Sequence, residues 1–151
     1  MSDYAFVTRW AFDAPIARVW AAIHASEAWP GWWRGVERVE VLERGGEHGL
    51  GGLRRYTWRS ALPYRLTFDM RVTRVQPPNR LAGDAHGELE GHGEWELAAE
   101  GDRTLVAYYW TVKTNKWWMN AFAFILRPLF RWNHDVVMEW GREALARKLD
   151  E

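Results

Sequence analysis

The sequence contains no cysteine, which excludes disulfides, thiolate metal sites and cysteine nucleophiles. It has no long hydrophobic run either. The longest uncharged apolar stretch, 117–126, is ten residues long and includes Asn120, whereas a membrane-spanning helix needs roughly 20. The start, Met1-Ser2-Asp3-Tyr4, lacks the basic and apolar regions of a signal peptide. No integral membrane segment and a soluble, cytoplasmic protein are therefore expected. Charge of one sign is not in excess: 20 Lys and Arg face 20 Asp and Glu. That removes the electrostatic footprint of a nucleic-acid binder, so no nucleic-acid partner is expected.

What the chain has in plenty is aromatic bulk: 12 Trp, 5 Tyr and 6 Phe in 151 residues. Such side chains fill a core, and they also line apolar ligand sites. The length suits one domain, residues 1–151, with one core.

Residues 4–12 alternate as a strand. Asp13 then offers an N-cap, with Pro15 in the first turn of an amphipathic helix carrying Ile16, Val19, Trp20 and Ile23. Ser26 opens a second short helix that Pro30-Gly31 breaks. Strands follow over 36–42, 53–60 and 64–75, the last with Leu66, Phe68, Met70 and Val72 on one face. Residues 81–97 read as a hairpin turning at Glu90-Gly91, which would pair Glu88 with His92, His86 with Glu94 and Ala85 with Trp95. Residues 104–114 form the last strand.

From Lys116 to Leu149 the pattern is one long helix, with a kink expected near Arg127 because of Pro128. Its apolar stripe carries Trp118, Phe122, Leu126, Leu129, Asn133, Val136, Val137 and Trp140. The order is β-α-α-β6-α. It implies an α+β fold in which a curved antiparallel sheet of about seven strands wraps around the long C-terminal helix. A hydrophobic cavity between sheet and helix is the first expectation.

Several pieces of the wording are specific. They are Ala14-Pro15 with Val19-Trp20, Trp29-Pro30-Gly31-Trp32-Trp33, and Leu62-Pro63-Tyr64. To these add Gly87 to Trp95 with its Gly-x-Gly-x-Trp ending, Gly101 to Thr104, and Arg127-Pro128 through Trp132-Asn133-His134-Asp135. Together with the element order, they resemble the START-like, helix-grip (SRPBCC) superfamily, in its bacterial polyketide cyclase/dehydrase-like branch. The resemblance implies a cavity whose sheet wall is Trp58, Phe68, Met70, Trp95, Tyr108 and Trp110. Its helix wall would be Phe122, Leu126, Leu129 and Asn133. For any one of these residues, plain core packing is an equally good account.

Candidates for chemistry are few. His86, Glu88, His92 and Glu94 have metal-ligand character, but on a hairpin they read better as a cross-strand ladder on the polar face. No metal and no cofactor are expected. In Asn133-His134-Asp135, adjacent helical residues do not face each other, so Asp135 is poorly placed to orient His134. Asn133 falls on the buried stripe and needs a hydrogen-bond partner; a structural or ligand-orienting role suits it better than catalysis. Arg55, Arg59 and Arg65 lie on or near the middle strands. In cyclases of this fold an inward polar or basic side chain can polarise a carbonyl, but alternation turns Arg55 and Arg59 towards solvent unless a bulge reverses it. Ser26, Ser60 and the five His show no triad or nucleophile-elbow spacing, and the glycines at 49, 51 and 52 are a turn rather than a phosphate loop.

Trp29, Trp32 and Trp33 fall in a loop, and Trp117 and Trp118 start the last helix. Three roles suit them as exposed aromatics: gating the cavity, dipping into a membrane surface or forming a homodimer patch; the alternative is that they only pack against each other. The leading functional expectation is binding of a hydrophobic, lipid- or polyketide-like small molecule, with Asn133 and Tyr108 setting its orientation. The alternatives are a polyketide aromatase/cyclase-type enzyme, without identifiable catalytic residues, and a membrane-surface lipid-handling protein.

Overall fold

The computed structural model describes residues 3–115 and 117–150. Lys116, with which the expected terminal helix opens, lies outside them, as do Met1 and Ser2. In chain order the elements are β1 (Asp3–Phe12), α1 (Ile16–His24), a 3-10 helix (Ser26–Gly31), β2 (Val36–Glu43), a 3-10 turn (Glu47–Gly49), β3 (Leu53–Arg59) and β4 (Arg65–Gln76). Then come β5 (Arg80–Gly87), β6 (Leu89–Glu100), β7 (Arg103–Thr114), α2 (Trp117–Ala121) and α3 (Ala123–Leu149). The strands form one sheet in the order β1-β7-β6-β5-β4-β3-β2. Every neighbouring pair is antiparallel. The sheet curves around α3, the α+β arrangement that the element order implies.

Alternation sets the inner face. Tyr4, Phe6, Trp10 and Phe12 of β1 are buried, and so are Thr104, Val106, Trp110, Val112 and Thr114 of β7. These two strands come from opposite ends of the chain, and Phe6 lies opposite Trp110 in the ladder. The first inward residues and the last thus join one wall.

The helix that covers this face is positioned by a tryptophan. Trp33, 2% exposed, donates its indole N–H to the Val137 carbonyl at 2.9 Å. Its ring also meets Trp10, Trp29, Trp58 and Trp95 at centroid distances of 4.9–6.3 Å. Rings tilted or edge-on at such spacings are favourable beyond their burial alone. Trp29 and Trp33 are therefore core residues that pack against each other, the alternative to an exposed cluster, and Trp32 stacks on Trp33 at 5.6 Å.

Three local expectations are corrected. The N-cap position of α1 is Pro15, without a side-chain cap bond; Asp13 instead pairs with Arg103 at 2.9 Å. The last helix breaks at Phe122, where the backbone turns to φ −110°, ψ 21° between α2 and α3, while Pro128 lies inside α3. A proline in the second turn deletes only the hydrogen bond to the Phe124 carbonyl, and Phe124 stands 82% exposed. The hairpin register also moves. Asp84, not Glu88, opposes His92, Ala85 opposes Gly91, and Leu81 opposes Trp95. The turn lies at Gly87-Glu88, and Gly91 sits inside β6, where a Cβ would meet the Thr111 carbonyl oxygen at 2.0 Å.

Candidate functional site

A cavity of about 140 Å³ lies between the sheet and α3. Six of the ten residues named from the sequence line it: Trp58, Phe68, Trp95, Tyr108, Trp110 and Asn133. Met70 lines a second, smaller chamber of about 80 Å³. The other three stand elsewhere. Leu126 packs half-buried against the core, while Phe122 and Leu129 are 50% and 41% exposed. The helix wall is instead Phe130, Asn133, His134, Val137 and Met138. Phe122 lies at the break before α3, and Leu129 falls on the flank of the face that Phe130, Asn133 and Val137 share.

The sequence reading missed Tyr4, Phe6, Trp29, Trp33, Tyr64, Phe130 and His134 on the wall. The signal for Tyr4 and Phe6 was the alternation of β1, which needed only the knowledge that β1 closes against β7.

Each strand delivers its aromatic by alternation, and small residues make the room. A Cβ on Gly93 would meet the Tyr108 hydroxyl at 2.7 Å and the Trp110 ring at 2.8 Å. Gly93 thus lets both rings lie flat across β6, and Tyr108 stacks on Trp95 at 4.1 Å. Burial pushes the Tyr108 phenol well up from its ordinary value. The Tyr64 phenol is raised to about 12, chiefly by burial.

The polar groups of the wall fall into two sets. Asn133, 6% exposed, is occupied: its Oδ1 accepts the Ala61 N–H at 3.0 Å, and its Nδ2 lies 3.5 Å from the Tyr64 hydroxyl. This pins the β3–β4 connection to α3. By contrast Tyr4 Oη, Trp58 Nε1 and His134 Nδ1 are buried without a hydrogen-bond partner. His134 stacks on Phe6 at 4.1 Å, and Asp135 Oδ1 is 3.8 Å from its Nδ1, beyond hydrogen-bond reach. Burial first, and then the charge of Arg131, lower the His134 pKa to about 4. The ring is neutral at neutral pH.

The other polar candidates disperse. His92 pairs with Asp84 at 2.9 Å, Glu88 accepts the Thr67 N–H at 2.6 Å, and Glu94 faces Arg74 and Arg80. Arg55 and Arg65 face outward onto Asp69 and Glu37. The inward arginine of β3 is Arg54, which the sequence reading passed over.

The sequence model of one family, described as polyketide cyclase / dehydrase and lipid transport, matches residues 5–151. The chain belongs to this family. No curated protein matches it. Among solved structures, the Zhui aromatase/cyclase of a Streptomyces species is similar at TM-score 0.80 and 15% identity, over 99% of this chain and 94% of that one. A START superfamily protein from Mycobacterium smegmatis is similar at TM-score 0.78 and 13% identity, over 97% of each chain. A Thermus thermophilus protein is similar at TM-score 0.74 and 18% identity, over 96% of this chain and 99% of that one. At these identities the likeness is one of fold. Family membership and fold support a hydrophobic-ligand or cyclase role in general terms.

Proposed function

We propose that the protein binds a flat, mainly apolar small molecule that carries hydrogen-bond acceptors, held in the cavity between sheet and α3. The observation that carries this reading is the set of three buried polar atoms without partners, on Tyr4, Trp58 and His134, in an otherwise aromatic wall. A buried polar group left unpaired costs about 1–3 kcal/mol. A ligand acceptor that reaches Tyr4 Oη or Trp58 Nε1 offsets that cost, and a pure hydrocarbon does not. Binding is favoured over proton-transfer catalysis because the wall's titratable groups are fixed in their neutral forms, with His134 near 4 and Tyr64 near 12. A general acid or base works best with a pKa near the working pH.

The test is native mass spectrometry of the purified protein, followed by uptake of polycyclic aromatic ketone probes read by Trp quenching. Near-stoichiometric binding that disappears in Leu66→Trp, which fills the cavity, is expected. Binding that persists in Leu66→Trp would place the ligand elsewhere.

A second reading, docking on an anionic lipid surface, is favoured by one feature. Trp117, Phe122, Phe124, Ile125, Leu129 and Trp132 are each 41–82% exposed within one short stretch. Residues 104–134 contain four Lys or Arg and no Asp or Glu. Apolar side chains flanked by cations suit an anionic bilayer surface. Among the described residues no helix is long and apolar enough to cross a membrane.

A further inference from the structure

We infer that the smaller chamber is a carboxylate subsite anchored by Arg54, so that the ligand is an apolar carboxylic acid. The inference rests on the cavity reading above and names the ligand's chemical class. The two spaces share walls: Trp29, Trp58, Phe68, Trp95 and Tyr108 line both. The two spaces therefore adjoin, and the proposed ligand lays its apolar body among the aromatics and its head in the chamber. The polar side of that chamber is His24, Ser26, His48, Arg54 and Tyr56, and no Asp or Glu lines it among the described residues.

Arg54 shares the inner face of β3 with Tyr56 and Trp58. Its side chain is 17% exposed, against 46% for Arg55 and 56% for Arg65. The two exposed arginines are well matched. Arg55 donates two bonds to Asp69, at 2.8 and 3.2 Å, and Arg65 Nε lies 2.9 and 3.0 Å from the two carboxylate oxygens of Glu37. The more buried Arg54 is matched less well. Its carboxylate contact is to Glu27 at 3.3 Å, and Glu27 is 54% exposed. Its other partners are neutral hydroxyls, Ser26 Oγ at 2.5 Å and that of Tyr56. A cation withdrawn from water needs close compensation, and here the nearest negative charge stands largely in solvent.

The surroundings hold the guanidinium in place. Ser26 Oγ accepts from Tyr56 Oη at 2.8 Å as well as from Arg54, which leaves the Ser26 hydrogen as a further donor. Burial raises the Tyr56 phenol, so it stays protonated. His24 Nε2 donates to the His48 carbonyl at 2.6 Å, tying the β2–β3 connection over the chamber. The chamber therefore presents donors and one positive charge. A planar carboxylate fits the guanidinium fork. A dianionic phosphate would bring a second negative charge against a cation that Glu27 already partly neutralises.

The test compares binding of 6-phenylhexanoic acid and 6-phenylhexanol to the full chain by isothermal titration. The acid should bind on the order of tenfold or more tighter than the alcohol, since hydrogen bonds between charged groups are stronger than those to a neutral hydroxyl. Arg54→Met should abolish the preference for the acid over the alcohol. Glu27→Gln, at a half-exposed position, should widen the preference for the acid, and it carries the test should Arg54→Met fail to fold. Equal affinity of acid and alcohol for the wild type, a preference surviving in Arg54→Met, or one unaltered in Glu27→Gln overturns the subsite but not the cavity. Failure of both ligands to bind overturns the cavity reading and the subsite with it.

Discussion

The indole of Trp33 occupies a notch in α3 that exists because residue 141 is glycine. A Cβ on Gly141 would lie 2.4 Å from Trp33 Cε2 and 2.7 Å from its Nε1. The same nitrogen donates to Val137 O one turn earlier. Glycine in a helix interior ordinarily costs up to about 1 kcal/mol relative to alanine, so the notch is maintained against local propensity. Gly141→Ala should therefore destabilise the fold by a net of about 1–2 kcal/mol, overpacking outweighing the helix gain. Urea unfolding midpoints measure this. A variant as stable as the wild type would mean that Trp33 does not set the seating of α3.

His134 gives the fold an acid sensitivity with a defined window. Its pKa is lowered to about 4 by burial and by Arg131, while an unfolded histidine titrates near 6.5. The unfolded chain thus takes up this proton first as pH falls. The contribution of neutral His134 is complete above about pH 6.5 and is lost between there and about pH 4, at up to about 1.4 kcal/mol per unit. His134→Gln should remove that part of the slope from a pH series of unfolding curves. The direct check is the imidazole NMR titration, and a midpoint near 6.5 for His134 would refute its desolvation.

Asn133 links α3 to the β3–β4 connection through the Ala61 N–H. Asn133→Leu keeps the bulk and strands that donor, at a cost of about 1–3 kcal/mol. Hydrogen exchange at Ala61 should quicken in the variant while β6 and β7 stay protected. Unchanged exchange there would mean that the bond is dispensable, and would return Asn133 to the role of a ligand group.

These residues show which parts of the molecule were legible in the sequence. Strand β4 was plain because Leu66, Phe68 and Met70 alternate with polar residues, and the fold class followed from the element order. The β5–β6 register was hidden because Gly83, Gly87, Gly91 and Gly93 offer no side chain to mark a face. The helix wall differs from the expected stripe because Phe122 lies at the break before α3 and because the buried face of α3 is centred on Phe130 and Val137 rather than on Leu129. Tyr4 and Phe6 needed the pairing of β1 with β7, a contact about 100 residues apart in sequence. Arg54 obeyed the alternation of its strand and was overlooked because a charged residue suggests solvent.

The exposed face of α2 and the start of α3 allows a last prediction. Phe124 and Ile125 are 82% and 60% exposed, and they lie in the span 104–134 that lacks acidic residues. Burying one large apolar side chain is worth about 1.5–3 kcal/mol, and each nearby cation adds about 1 kcal/mol on an anionic surface. The protein should co-sediment with phosphatidylcholine vesicles containing phosphatidylserine, and much less with phosphatidylcholine alone. Phe124→Ser with Ile125→Ser should weaken that binding at least about tenfold, and added salt should weaken it in the wild type. Equal sedimentation of the double variant and the wild type, or no dependence on phosphatidylserine, would show that this apolar face does not meet lipid.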